Sequence, residues 1–226
     1  MVQNAWAILL GTGKGEQITP DTDTGFLNLG IHPVITYSLT AFEKCPDIEG
    51  VAVVVPKDRM DTVRGLVQVY GFSKVRELTP GSNSRSGSLQ SALKAIDDRA
   101  GVVVVHEVSR PCVTPGQISD VIKAARKHGA GITGEKINGN LKLQTKGAKA
   151  GQAVSEGIWR VQTPQAYKAD LLQQAYAALG KKKLNFTDES ELYDVLKKDL
   201  HMVEASFQNI KLSSSDELTM ATSLLR

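Results

Sequence analysis

The sequence predicts an α/β protein built on a mainly parallel, twisted sheet with helices on both faces. Three observations carry that reading. Short apolar runs occur at residues 5–10 and 102–105, and 48–55 is apolar apart from Glu49 and Gly50. Between them lie segments with apolar residues every three or four positions, and Gly or Pro marks many of the junctions. Continuous apolar runs suit strands buried on both faces, and a β-α-β order makes those strands parallel.

Each element has its own local signal. Residues 5–10 are apolar throughout and end at Gly11. After a Gly-, Asp- and Thr-rich stretch, 33–43 places Val34, Ile35, Leu39 and Phe42 at helical spacing, with Pro33 where a first turn tolerates proline. Residues 48–55 form a second strand ending at Pro56, 60–69 a helix, 74–78 a short strand and 86–96 a helix. A third strand follows at 102–105, and Ile118, Val121, Ile122 and Ala125 share one face of a helix over 115–127. The rhythm then breaks. Residues 134–156 are polar, carry Gly139, Gly147 and Gly151, and alternate weakly at Leu141 and Leu143, which predicts a projecting hairpin arm. Beyond it come a strand at 158–162, a helix at 169–179, a helix after Thr187, a strand at 202–205 and a last helix from Ser214. One domain over 1–226 with one arm is the expected organisation.

Composition excludes several classes. With 41% hydrophobic and 23% charged residues, the 226-residue chain reads as globular, not disordered. Aromatic residues are few (5 Phe, 5 Tyr, 2 Trp), so Val, Leu, Ile and Ala must fill the core. Against 24 acidic residues stand 27 Lys and Arg, a net charge of +3. That is too small for a dedicated nucleic-acid binder and suits an enzyme that handles a few anionic groups. Cys45 and Cys112 are far apart and form no CxxC, which argues against a disulfide scaffold and for a reducing compartment. No run is long enough for a membrane span and no signal-peptide pattern is evident, so a cytoplasmic protein is expected.

Three loops could carry chemistry. The first strand leads into Gly11-Thr12-Gly13-Lys14-Gly15, where backbone N–H groups could approach phosphate and Lys14 could add a cation. The segment is neither GxGxxG nor the Walker pattern, and a plain flexible turn is the alternative. Gly81–Ser88 precedes a helix and offers hydroxyls and one guanidinium, Arg85, to an anion; a helix N-cap beside a solvated Arg is the alternative. His106-Glu107-Val108-Ser109-Arg110-Pro111 follows the strand of valines. The carboxyl ends of parallel strands are where open α/β sheets bind ligands, and Glu107 there could hold a divalent cation or simply pair with Arg110. No His/Cys cluster has the spacing of a zinc site.

Taken together, Gly81–Leu93, His106–Pro111 and Trp159-Arg160-Val161-Gln162-Thr163-Pro164-Gln165, with Thr187-Asp188-Glu189, Asn209-Ile210-Lys211-Leu212 and the closing Asp216-Glu217-Leu218, stop looking generic. In order and spacing, along almost the whole chain, they resemble the 2-C-methyl-D-erythritol 4-phosphate cytidylyltransferase family. That resemblance implies a Rossmann-like nucleotidyltransferase fold, a homodimer built on the arm, and a step of isoprenoid biosynthesis. It implies CTP and a small phosphorylated alcohol as substrates, pyrophosphate as product and Mg2+ as cofactor. Lys14 and Lys211 become the expected catalytic cations. Leu10, Gly11, Gly13, Gly81, Arg85 and Ser88 become the nucleotide site, Arg110, Thr163 and Thr187 the acceptor site, and Glu107 the metal ligand.

The sequence also departs from the family pattern. The family's Ala-Ala-Gly-x-Gly-x-Arg becomes Leu9 and Leu10 at the first two positions and Gly15 at the Arg position, and a following Lys falls on Thr24. The His-Asp pair becomes His106-Glu107. The Asp-Thr-Ile-Lys segment before the arm is not recognisable around 133–137, and an Arg shortly before the Trp falls near Ser155. The expected function is therefore cytidylyl transfer to such an alcohol phosphate. A weak or inactive paralogue that serves as a nucleotide-binding or assembly module is the alternative.

Overall fold

In the computed structural model, residues 4–225 are described except 13–17, 19–22, 83, 140, 143–152, 155–156 and 180–187. The chain runs β1 (Ala5–Leu10), a short ribbon of β2 (Asn28–Leu29) and β3 (His32–Pro33), α1 (Val34–Lys44), β4 (Ile48–Val55), α2 (Met60–Tyr70) and β5 (Val75–Pro80). Next come α3 (Arg85–Leu93), β6 (Val102–Glu107), α4 (Pro115–His128) and β7 (Ala130–Lys136). The remainder is β8 (Leu141–Lys142), β9 (Ala153–Val154), β10 (Trp159–Lys168), α5 (Ala169–Leu179), α6 (Glu191–Leu196), β11 (His201–Glu204) and α7 (Ser215–Leu224).

The main sheet has seven strands in the order β11-β7-β10-β6-β1-β4-β5. The β1/β4, β1/β6, β4/β5 and β7/β11 pairs are parallel, while β10 runs antiparallel to both β6 and β7. The two-residue alternation of strands divides the core cleanly. Ala5, Ala7 and Leu9 face a cluster with Ile35, Leu39, Phe42, Val63, Ile118 and Ile122, from α1, α2 and α4. Trp6, Ile8 and Leu10 face the opposite cluster, with Leu89, Leu172, Ala175, Leu192 and Tyr193 from α3, α5 and α6. All six residues of β1 are buried, as an apolar run between two helical layers requires.

Helix ends follow their local chemistry. The Ser84, Thr114 and Ser214 hydroxyls accept from Gly87, Gln117 and Glu217 N–H, capping α3, α4 and α7. Pro33 is the N-cap of α1, one position before the first turn. Boundaries elsewhere lie within a few residues of expectation, except that α3 stops at Leu93 and β10 continues to Lys168.

One interior strand of the sheet escaped the sequence reading. The start of the predicted arm, at 134, belongs to β7, which is buried over Ala130–Gly134. Its glycines hide it, and Gly131 explains why. A Cβ there would strike the Val121 carbonyl and lie 2.6 Å from the Ala124 Cβ, so the missing side chain is what lets α4 seat on the sheet. Past the sheet, β8 and β9 pair antiparallel, Leu141 with Val154 and Lys142 with Ala153. They form the hairpin expected of the arm; its tip, 143–152, lies outside the described residues.

Gly131→Ala tests this packing. The backbone of α4 cannot yield as a flexible side chain would, so the substitution is expected to destabilise the fold by about 1–3 kcal/mol. A urea titration should show a lower midpoint with an unchanged slope.

Candidate active site

The carboxyl ends of β1, β4 and β6 sit side by side, with Leu10 in register with Val54 and Glu107. Backbone bonds then tie the loops leaving them: Gly11 N donates to Val54 O at 2.7 Å, Gly81 N to Val55 O at 2.9 Å and Val108 N to Leu10 O at 3.1 Å. Gly81 has no room for a side chain, because a Cβ would collide with the Thr12 methyl. The start of the first loop and the Gly81–Ser88 loop are therefore in contact. Within the second loop, the buried Ser88 hydroxyl accepts from Ser82 N at 3.0 Å.

Arg85, in the first turn of α3, is far from solvated. Its Nε and Nη2 each donate to a carboxylate oxygen of Glu189 at 2.7 Å, and Nη1 donates to Glu107 Oε1, also at 2.7 Å. Glu107 Oε2 faces Lys211 Nζ at 3.2 Å and Arg110 Nε at 3.6 Å. Three cations thus surround one carboxylate at the end of β6. Burial opposes ionisation of Glu107, but the charges of Arg85, Lys211 and Arg110 outweigh it and bring the carboxyl down to about 2. Glu189 is sealed from solvent: burial pushes its carboxyl up, and the two parallel bonds from Arg85 pull the other way. Arg85 is itself raised, since Glu189 and Glu107 together overcome the cost of its burial.

The loop bearing Glu189 is fixed by Asp188, whose carboxylate accepts from Gln165 Nε2 and Ser190 N, both at 2.8 Å. Arg110 is buried, and its Nη1 donates to the Asn209 carbonyl at 3.0 Å. This link brings the segment that carries Lys211 beside Glu107.

A sequence profile of IspD, 2-C-methyl-D-erythritol 4-phosphate cytidylyltransferase, matches residues 5–226. The chain belongs to this family. A cytidylyltransferase of that name from Pelotomaculum thermopropionicum is 30% identical over 222 residues, covering 97% of this chain and 93% of the relative. One from Syntrophotalea carbinolica is 28% identical, covering 98% and 96%. Among solved structures, the Thermus thermophilus enzyme of the same name aligns with a TM-score of 0.76 at 26% identity, covering 97% and 98%. The 4-diphosphocytidyl-2C-methyl-D-erythritol synthase of Anaerococcus prevotii aligns with a TM-score of 0.87 at 24% identity, covering 99% and 96%, a likeness of fold.

Against the family's expected site, the structure gathers Leu10, Gly11, Gly81, Arg85, Ser88, Glu107, Arg110 and Lys211 at one edge of the sheet. Leu9 and Leu10 turn to opposite faces and are buried, so they pack the core. Thr163, expected on the acceptor side, is 2% exposed, and its hydroxyl contacts His106 and Glu107 N. Gly13, Lys14, Gly15, Ser155 and Thr187 lie outside the described residues. Thr24, at the family's Lys position, is buried, and the adjoining Gly25 packs against Val108. Sequence reasoning did not single out Glu189 or Asn209 as site residues. Both stood in quoted motifs, but their partners are 104 and 99 positions away.

Arg85→Ala is expected to lower stability by about 3–5 kcal/mol, because it strands the sealed Glu189 carboxylate. Adding Glu189→Gln should recover a large part of that loss. Chemical denaturation of the two single variants and the double variant measures the coupling.

Proposed function

We propose that the protein transfers CMP from CTP to 2-C-methyl-D-erythritol 4-phosphate and releases pyrophosphate. Membership of the family over residues 5–226 supports this, as does the named activity of the relatives. The observation that carries it structurally is the set of three cations, Arg85, Arg110 and Lys211, around Glu107 at the strand ends. In the reaction an oxygen of the acceptor phosphate bonds to the α-phosphorus of CTP. The bond from that phosphorus to the bridging oxygen breaks, and its electron pair leaves with pyrophosphate. Such a transfer needs alignment of the two phosphates and neutralisation of the leaving group more than it needs proton chemistry.

In this reading Lys211 and Lys14 neutralise phosphate charge. Gly11, Gly13, Gly81, Arg85 and Ser88 form the nucleotide site, which Leu10 backs from the core, with Arg110 and Thr187 on the acceptor side. Thr163 shapes the floor of the site. Mg2+ is the inferred metal. The described residues contain no group of three or more His, Cys, Asp or Glu that could cage an ion. Glu107, at the strand ends and 13% exposed, fits an ion held by one carboxylate and the substrate's own phosphates once those phosphates draw Lys211 and the Arg85 edge away from its oxygens. Bound there, Mg2+ would supply positive charge to the triphosphate. The chain-wide match and the assembled cation cluster do not favour the alternative of an inactive assembly module.

The departures at Gly15 and Thr24 leave Lys14 as the nearest cation in the first loop. Lys14→Ala is expected to lower turnover about 10²–10³-fold, the usual cost of losing one preorganised charge donor. A pyrophosphate-release assay with CTP, Mg2+ and the acceptor measures it, and turnover indifferent to Lys14 would overturn the assignment.

We further infer a cytoplasmic homodimer joined through the arm at 134–156, within one domain spanning 1–226. No helix of the described residues is long and apolar enough to cross a membrane. The small β8/β9 sheet stands apart from the main sheet, and a two-stranded ribbon has unpaired edges that a second copy can cover. Sedimentation at micromolar concentration should show a dimer that deletion of residues 136–153 converts to monomer. A monomer before deletion would sink the idea.

A further inference from the structure

His106 is wholly buried between β6 and the helices below it, and its ring touches none of the charged groups directly. Its two nitrogens are not equivalent. Nε2 lies 3.2 Å from the Arg110 carbonyl oxygen, which can only accept, so Nε2 carries the hydrogen. Nδ1 lies 3.1 Å from the Thr163 hydroxyl. The ring is fully buried and hydrogen-bonds to no carboxylate, so nothing beside it stabilises an imidazolium; it is neutral, and Nδ1 accepts from Thr163. The Thr163 oxygen in turn accepts from Glu107 N at 3.1 Å, which uses the hydroxyl as donor and acceptor at once.

The bonds then close on themselves. His106 Nε2–H donates to Arg110 O. Arg110 Nη1 donates to Asn209 O at 3.0 Å. Asn209 Nδ2 donates to Thr163 O at 2.9 Å, its other hydrogen going to Gln162 Oε1 at 2.8 Å. Thr163 donates back to His106 Nδ1. All four members are buried, so unmade bonds here would be expensive, and the run from Glu107 N–H through the Thr163 hydroxyl and the His106 ring to Arg110 O, with every donor pointing the same way, is polarised along its length. The circuit joins three chain segments that carry the charged site: 106–110 with Glu107 and Arg110, 162–165, and 209–212 with Lys211. A further bond, Leu212 N to Ser109 O at 2.8 Å, runs parallel to it.

We propose that His106 is a positioning residue, fixed as the Nε2–H tautomer by this closed circuit through Arg110, Asn209 and Thr163, and that the circuit sets the spacing of Glu107, Arg110 and Lys211. The opposite tautomer would face the Arg110 carbonyl with a lone pair and the Thr163 hydroxyl with a second donor. One bond would break outright, and the donor direction of the next would reverse. The proposal rests on the cytidylyl-transfer reading only for its kinetic consequence, since the tautomer is a property of the free protein.

Long-range 1H–15N NMR of the full-length protein with 15N-labelled histidine tests it, with the His106 signals assigned by their loss in His106→Gln. The wild type should show one protonated nitrogen at Nε2 and one bare nitrogen at Nδ1. Thr163→Val should disturb that pattern and lower kcat about ten- to a hundredfold, as a displaced charge would, with little change in KM for CTP. Thr163→Ser should restore both. Ser38→Ala removes only the longer 3.4 Å contact to Nε2, lies outside the circuit, and should leave tautomer and kcat unchanged. A wild-type ring protonated at Nδ1, or at both nitrogens, overturns the proposal even if no variant folds. So does a folded Thr163→Val protein with wild-type kcat. Absence of turnover in the wild type would count against the reaction and leave the NMR pattern to decide the circuit.

Discussion

The site is organised by the cost of keeping several like charges together in a place that water reaches poorly. Arg85, Arg110 and Lys211 converge on the end of β6, and without counter-ions their mutual repulsion and desolvation would open the cluster. Two carboxylates prevent this in different ways. Glu189 is fully buried and takes both parallel bonds of the Arg85 fork, so it is a permanent partner. Glu107 is 13% exposed and spreads its two oxygens over three cations.

The sheet supplies the platform on which that cluster is built. Parallel pairing of β1, β4 and β6 puts three carboxyl ends on one edge, so the loops after them meet without long excursions. β10 then enters antiparallel between β6 and β7, placing Gln165 opposite Val105 and bringing residues 162–165 under the same edge. The 209–212 segment arrives after β11 from the far side of the sheet and is tied in by Arg110 and Ser109. Residues from four distant parts of the chain thus share one site, and the strand order alone explains most of their proximity.

How much of this could be read in the sequence follows from the range of each interaction. The apolar runs of β1, β4 and β6 and the hydroxyl cap of α3 are local signals, and each was legible within a dozen residues. β7 was not, because Gly131 and Gly134 are set by what packs on them: α4 in one case, Met202 and Trp159 in the other. The dull reading of Glu107, a pair with Arg110, was correct in kind. It was incomplete, because Arg85 and Lys211 approach from 22 and 104 positions away, and local sequence says nothing about either. For Arg85, the alternative to an anion-binding role was a solvated residue beside a cap. The cap is real, and the solvation is replaced by Glu189, which no spacing rule connects to it.

The difference between the two carboxylates has a consequence for a ligand rich in phosphate. Arg85 cannot leave Glu189 without stranding a charge in the interior, so only its Nη1 edge is free to exchange partners. Lys211 is 33% exposed, so an incoming anion can reach its ammonium from the solvent side. Glu107 occupies the space between them, one methylene longer than the aspartate that the family pattern carries there. A phosphate that reaches this edge therefore competes with Glu107 for cations already in place, not for cations it must first gather. The spacing of those cations matters more than their number, since a phosphate oxygen displaced by an ångström loses alignment for in-line transfer. The rigid part of the site is accordingly the set of bonds beneath Glu107 and Arg110 together with the Arg85–Glu189 fork, which fix where the charges stand. The ion pairs of Glu107 with Arg85 and Lys211 are the part that a phosphate contests.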